Sequence, residues 1–435
     1  MKDVKQHASI AYRLLHFYSK MLIWHWFSKV EVNGKENIPE NTPCILLPCH
    51  QNGLMDCVTL LAIFKKPITF FAKSALFVNS RISKVLTFLR IMPAYRQREG
   101  IGNVTKNEDN FFKAVDLLLM GFPLCIMPEG GQHEKHHLYP FVKGPFRIAF
   151  YTQENSANNK TVHLIPIGID YGHYDKLGYP LVLNIAKPIS VDSYMEIYRE
   201  NPAKALNIIK EDAYKQLSEM MVNICSEKYY DVIYISAYLY NCAMLAMLNL
   251  KDNQSNRMKV RQYIVKHLDE IADQTPEKLQ ALRDKCILLA KQKTDIVSIA
   301  NDSSKDKFFF ILCYVLFLLP IFVYGFLLNI FVVLLIAVLS PKLKKYGFSS
   351  TLKYVLFSLF SPVCHLLISV SVAIIISSWV IPLVIFLTGM PVTVFCSKYV
   401  RRLRMLRNKF LFRKHKQYII DICKELDVLF EKKTA

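Results

Sequence analysis

The sequence predicts an α/β domain with a mostly parallel sheet flanked by helices, then a helical segment, then a C-terminal helical membrane region. Three observations carry this. From residue 44 to about 190, short β-rich runs alternate with helix-like segments. Residues 200–300 read as helices of mixed charge, broken near Pro276. Past Lys307 the composition changes, and neither 308–340 nor 354–397 holds a charged side chain.

Residues 9–28 carry Leu, Phe, Met, Ile and Trp at helical spacing, with Arg13, His16 and Lys20 between them. Trp24 and Trp26 favour a membrane interface, so an amphipathic helix lying on the bilayer is expected; an ordinary packed helix is the alternative. A strand-like Lys29 to Val32 ends at the Asn33-Gly34 turn signal. Strands are expected at 44–49, 67–72, 90–95, 123–127, 163–169 and 181–186, with helices at about 55–64, 79–88, 108–120 and 143–153 between them. The domain boundaries that follow are 1–28 for the N-terminal membrane helix, 29–195 for the α/β domain, 196–304 for the helical region, 305–397 for transmembrane hairpins and 398–435 for a basic cytoplasmic helix.

A span needs about 20 residues. The run 354–397 therefore fits two helices, with a turn around 374–380 and with Pro382 and Gly389-Met390-Pro391 breaking its second half. The run 308–340 fits a shallow hairpin bent at Pro320 or Gly325, or one strongly tilted helix. Lys305 and Lys307, then Lys342, Lys344 and Lys345, then Lys398, Arg401, Arg402 and Arg404 flank these runs. If basic flanks stay cytoplasmic, each run enters and leaves on one side, and the chain is multi-pass with its α/β domain on the cytoplasmic face.

The formal net charge is +20 and 52% of residues are hydrophobic. That combination favours an anionic membrane surface over nucleic acid. The 11 cysteines form no CxxC pair and no metal-like spacing, which reads as reduced, buried thiols facing the cytosol. No signal peptide is expected, since the apolar stretch Met21 to Phe27 is short and interrupted by His25.

The stretch Cys44 to Asp56, CILLPCHQNGLMD, carries the first chemistry. A buried strand delivers His50 to a turn, and Asp56 follows on the first turn of the next helix. Asp56 is the sole carboxylate between Glu40 and Glu99, so it alone is near enough in sequence to orient His50. A paired imidazole keeps one ring nitrogen for taking a proton from a hydroxyl; a helix-capping histidine beside an exposed Asp is the bland alternative. In CIMPEGGQ, 125–132, Glu129, Gly130 and Gly131 form a turn whose amides can point at an anionic oxygen, or a turn without function. Arg96 and Arg98 at a strand end suit a phosphate, or merely solubilise a loop. Lys73 and Lys143 add positive charge beside other strand ends. His133-Glu134-Lys135-His136-His137 matches HExxH, the spacing of a zinc peptidase. Gly130-Gly131 and Pro140 bracket it and it lacks a helical apolar face, so an exposed, polar loop is expected there rather than a metal site.

Together these residues resemble the glycerophospholipid acyltransferase family, which contains lysophosphatidate and glycerol-3-phosphate acyltransferases. The resemblance covers roughly 30–190, in the family's motif order. His50 and Asp56 stand for its histidine–aspartate motif, and Arg96, with Arg98 as the spare, for its arginine after a strand. Met127-Pro128-Glu129-Gly130, followed by PFVKG, is similar to its Phe-Pro-Glu-Gly turn, and Ile165-Pro166-Ile167 to its apolar-Pro-apolar strand. Five residues rather than four separate His50 from Asp56, a spacing similar to that of the fungal-type glycerol-3-phosphate acyltransferases; Gly53 is placed to absorb the extra residue in a turn.

The resemblance implies an α/β acyltransferase domain that moves a fatty acyl group to a hydroxyl of 1-acyl-sn-glycerol-3-phosphate or glycerol 3-phosphate in phospholipid synthesis. His50 would be the general base and Asp56 its orienting carboxylate. Arg96, Arg98, Lys73, Lys143 and the Glu129-Gly130-Gly131 turn would hold the acceptor phosphate. Acyl-CoA or acyl carrier protein would be the donor, the bilayer a partner, and neither metal nor cofactor is called for. A zinc peptidase using His133, Glu134 and His137, or a non-catalytic lipid-binding membrane protein, are the rival readings.

Overall fold

Cys44 to Pro48 lacks a charged side chain, and all five residues are buried. Such a run needs cover on both faces, the condition of an inner strand in a parallel sheet. In the computed structural model it is that strand. The structure describes residues 9–40, 42–64, 66–94, 104–156, 160–291, 296–297, 308–344 and 348–431. The strands are β1 (Val30–Asn33), β2 (Cys44–Pro48), β3 (Thr69–Lys73), β4 (Ile91–Ala94), β5 (Leu124–Cys125), β6 (His163–Tyr171), β7 (Leu181–Ile185) and β8 (Ile189–Ser190). They form an eight-stranded sheet ordered β1-β7-β6-β2-β5-β3-β4, with β8 pairing β6.

The inner pairs β2/β5, β2/β6, β3/β5 and β3/β4 are parallel, and β6/β8 is antiparallel. Each expected strand is present, β5 shorter than expected, and the strand-like Lys29 to Val32 is the edge strand β1. Helices α1 (Ile10–Trp26), α2 (Leu54–Ile63), α3 (Ser80–Phe88), α4 (Val104–Leu119), α5 (Gly144–Glu154), α6 (Met195–Glu200) and α7 (Pro202–Met220) accompany the strands in sequence.

The chain divides into two compact units. The first joins residues 1–24, 30–170 and 182–221 and holds nearly all of the sheet. Helices α6 and α7 therefore pack with the sheet, although the sequence placed everything after 195 in a separate helical region. Helix α1 buries Tyr12 and Ile23 but leaves Ile10, Leu14, Phe17, Met21 and Trp24 exposed. Those five recur at steps of four and three, one stripe along the helix. His16 Nε2 lies 2.7 Å from the Leu61 carbonyl and ties the opposite side to the end of α2.

The second unit joins 25–29, 171–181 and 222–435. It contains α8 (Tyr230–Leu239), α9 (Asn241–Met247), α10 (Gln254–Gln274), α11 (Gln280–Lys291), α12 (Phe308–Phe317), α13 (Leu319–Leu328), α14 (Ile330–Lys344), α15 (Ser349–Val355), α16 (Ser361–Ile376) and α17 (Val380–Glu431). A single π turn at Leu356–Phe360 links α15 to α16. Among the described residues, Ser349–Ile376 and Val380–Phe430 are each long and apolar enough to cross a membrane, and α12 with α13 is a third candidate bent by 57°.

The bend falls at Leu318, where Pro320 in the first turn of α13 lacks an N–H for the preceding turn. Gly325, the other expected hinge, lies inside α13. Ser377, at φ 50°, starts the turn inside the expected 374–380 window. The anticipated break at Pro382 and Gly389-Met390-Pro391 does not occur: Pro382 falls in the first turn of α17, where no N–H is needed, and the helix runs through Pro391. Nor does it stop at 397, since α17 is continuous for 52 residues, about 78 Å at 1.5 Å per residue. Its far end packs on α8 to α11, with Tyr240 Oη donating to Asp427 (2.6 Å) and Lys285 paired with Glu425 (2.8 Å).

Candidate active site

The site grows from the end of β2. Beyond Pro48 the chain is pinned at Cys49, whose N–H donates to the Ile167 carbonyl (3.1 Å) and whose Sγ accepts the Ile169 N–H (3.2 Å). His50 follows at the C-terminal edge of the parallel strands, where such sheets place ligands. Gly53, at φ 55° and ψ −127°, takes a backbone conformation that side chains disfavour, and Leu54 then opens α2. The residue that lengthens the His50–Asp56 spacing is thus absorbed in a glycine turn, not within a helix.

That turn brings the two side chains together. His50 Nδ1 lies 2.9 Å from Asp56 Oδ2, and the Asn52 N–H donates to the same oxygen at 2.9 Å. Asp56 is fully buried while the His50 side chain is 21% exposed. A buried carboxylate favours the tautomer in which Nδ1 carries the proton. Nε2 is then a free acceptor.

Glu129 was expected among the phosphate-binding residues, and its geometry assigns it another task. Its Oε1 accepts the His50 N–H (2.9 Å) and its Oε2 accepts the Tyr139 N–H (3.0 Å). The His133 N–H donates to the His50 carbonyl at 3.1 Å. The backbone of His50 is therefore held on both sides, and both Glu129 oxygens are engaged by backbone N–H groups in bracing that turn. Burial pushes the Glu129 carboxyl up, and the two N–H donors oppose that shift. Gly130 has φ 64°, and a Cβ there would lie 2.9 Å from Val142 Cγ1. The Asn52–Asp56 bond is local to the glycine turn, whereas the Glu129–His50 bond has no local signature, because it depends on how β2 meets the segment after β5.

Lys73 ends β3 opposite Ala94 of β4, and it is exposed. Arg96 and Arg98 lie outside the described residues, two and four positions past Ala94. Lys143, also exposed, immediately precedes α5. Burial pushes the His133 imidazole down, and His50, His137, Lys135 and Lys73 push the same way. Burial likewise pushes the thiols of Cys49, Cys57 and Cys125 up, so none is a ready thiolate beside His50.

The HExxH segment contains no helix. His133 stacks on Tyr139 at 3.8 Å and His137 meets the same ring edge-on at 4.7 Å. Zinc ligands at this spacing share one helix face, and here both imidazoles flank a tyrosine instead. The loop is less exposed than expected, with His136 and Leu138 buried. Among the described residues no group of three His, Cys, Asp or Glu side chains is disposed to hold a metal ion.

Residues 29–170, which carry every group named above, match the family model described as Acyltransferase. This stretch is an acyltransferase-family domain. The chain is 29% identical over 141 residues to a chloroplastic 1-acyl-sn-glycerol-3-phosphate acyltransferase of Brassica napus, covering 32% of this chain and 39% of that protein. It is 29% identical over 126 residues to glycerol-3-phosphate O-acyltransferase 2 of Saccharomyces cerevisiae, covering 29% of this chain and 16% of that protein. The chain thus spans well under half the length of either relative. Among solved structures, the 1-acyl-sn-glycerophosphate acyltransferase PlsC of Thermotoga maritima aligns with 21% identity and a TM-score of 0.34, covering 47% of this chain and 78% of that one. A cavity of about 310 Å³ lined by Lys35, Cys44, Phe64 and Pro123 lies at the opposite, N-terminal edge of the strands, away from His50.

Proposed function

We propose that the chain is a membrane-bound O-acyltransferase that moves a fatty acyl group from a thioester donor to a hydroxyl of 1-acyl-sn-glycerol-3-phosphate or glycerol 3-phosphate. The observation that carries this reading is the 2.9 Å contact between His50 Nδ1 and the buried Asp56 carboxylate inside the acyltransferase domain. In the proposed reaction His50 Nε2 takes the proton of the acceptor hydroxyl as its oxygen attacks the thioester carbonyl. Asp56 stabilises the imidazolium that forms, as in a triad whose nucleophile is the substrate. Collapse of the tetrahedral intermediate breaks the carbon–sulfur bond, and the imidazolium returns its proton to the departing thiolate. The test is the purified full chain with labelled acyl-CoA or acyl carrier protein and a panel of phosphorylated and unphosphorylated acceptors. Ester formation that needs a phosphorylated acceptor and withstands a strong chelator is expected, and chelator-sensitive peptide cleavage in its place would return the zinc reading.

Arg96, with Arg98, Lys73, Lys143 and the amides of Gly130 and Gly131, is proposed to hold the acceptor phosphate. Arg96→Ala is expected to raise the acceptor KM by at least tenfold and leave the donor KM near its original value, since one charged bidentate contact is lost. Steady-state titrations of each substrate check this, and an unchanged acceptor KM moves the phosphate to Arg98 or Lys143.

Membrane residence suits a reaction whose product is a lipid. Supporting it are the bare stripe of α1 and the two long apolar helices around the 377–379 turn. The α/β domain and the basic flanks are proposed to lie on the cytoplasmic side. A cysteine replacing exposed Trp379 should then react with an impermeant thiol reagent only from outside, and one replacing exposed Lys416 only from inside, once the exposed Cys225 and Cys313 are removed. Labelling of both from one side contradicts the two-crossing reading.

A further inference from the structure

Serine at 377 turns the chain so that Ser349–Ile376 and α17 form an antiparallel hairpin. The start of the first helix and residues 398–404 of the second therefore share one end. A loop within the same compact unit, 171–181, joins them there. Lys353 Nζ donates to Asp175 Oδ1 (2.7 Å) and to the Asp175 carbonyl (3.0 Å). Arg404 Nη1 donates to the Leu177 carbonyl (3.0 Å), with its guanidinium 5.7 Å from the centre of the Tyr179 ring.

Charge at this end is one-sided. Nine basic and no acidic side chains occur from 398 to 416, and the first acid beyond is Asp421. The loop's one acid, Asp175, is held by Lys353. Arg401 and Arg402 are exposed and, among the described residues, make no ion pair. Arg402 leans on the Tyr314 ring at 5.8 Å. Exposed Val400 and Leu403 alternate with these arginines, and the uncharged turns 380–397 directly precede them. A soluble acidic partner would not call for apolar side chains between the cations. A lipid headgroup at the edge of a bilayer does, because arginine reaches the phosphate while neighbouring aliphatic groups stay in the acyl layer.

We propose that this end of the hairpin is a binding site for the phosphate of an anionic phospholipid in the surrounding leaflet, with Arg401 and Arg402 as its ligands. Lys353 and Arg404 hold the 171–181 loop and so fix the site's floor. Phosphate binding there requires nothing of the His50 chemistry.

The test titrates short-chain phosphatidylglycerol, and phosphatidylcholine in parallel, onto the full chain in neutral detergent. Binding of phosphatidylglycerol is expected, weakened about 30-fold by Arg401→Gln with Arg402→Gln, at roughly 1 kcal/mol per basic side chain. Arg413→Gln with Lys414→Gln removes equal charge three turns further on and should change the affinity less than threefold. Indifference to the Arg401–Arg402 pair, as for binding at the acceptor site, overturns the proposal. So does an equal loss from both pairs, which would mean diffuse attraction. Should the first double variant fail to fold, native mass spectrometry of the wild-type chain in equal amounts of the two lipids decides: preferential retention of phosphatidylglycerol is expected, and equal retention overturns the site.

Discussion

His50→Ala is expected to lower acyl transfer by about 10²–10⁴-fold, the range for loss of a positioned general base. The loss should fall on kcat, because the ring acts on the hydroxyl proton only as the bond forms. Folding is a separate question with a smaller answer. The backbone bonds of His50 to Glu129 and His133 do not involve the ring. Removing the ring leaves the buried Asp56 oxygen with the Asn52 N–H and costs about 1–3 kcal/mol of stability. Thermal unfolding of the purified variant, set beside initial rates corrected for the folded fraction, separates the two. Turnover within tenfold of the wild type would mean that His50 is not the base.

Asp56→Asn should cost nearly as much by a different route. Asp56 Oδ2 accepts both the His50 Nδ1 proton and the Asn52 N–H, and an asparagine puts a neutral amide at that position. With its nitrogen there, the His50 proton is forced onto Nε2, the nitrogen that must accept one, and the Asn52 N–H loses its acceptor. With its oxygen there, both bonds remain but the charge that stabilises the imidazolium is gone. The wrong tautomer costs about 10⁴-fold in serine-protease triads, and about 10²–10⁴-fold is expected here. Because the imidazole stays in place, the acceptor KM should change little. Measured kcat and KM over a range of pH check this. A variant that merely raises KM would point to a substrate-binding role for Asp56.

Much of the architecture was legible in local patterns. The strands of the sheet are short apolar runs closed by turn signals, and a run such as Cys44 to Pro48 has few alternatives. His50 and Asp56 were legible because the segment from 41 to 98 offers no other carboxylate. What could not be read depended on contacts across the fold. Glu129 belongs to a recognisable turn, but its role as a brace follows from β2 and β5 being neighbours, which sequence order hides. The same holds for α6 and α7, whose mixed charge gave no hint that they pack with the sheet unit. At Pro382 and Pro391 local rules misled. A proline in the first turn does not break a helix, and Pro391 lies within α17 two residues past Gly389, which sits directly against His365 of the neighbouring helix in the hairpin.

The claim that Asp56 acts through His50 is tested most directly by the rate of the protein carrying both His50→Ala and Asp56→Asn. Two residues that work as one unit are non-additive. With the base already gone, changing its orienting carboxylate should alter kcat by less than about threefold relative to His50→Ala alone. A double variant slower than His50→Ala by the full factor that Asp56→Asn costs by itself would show that the two side chains contribute independently, and would contradict the pairing on which the mechanism rests.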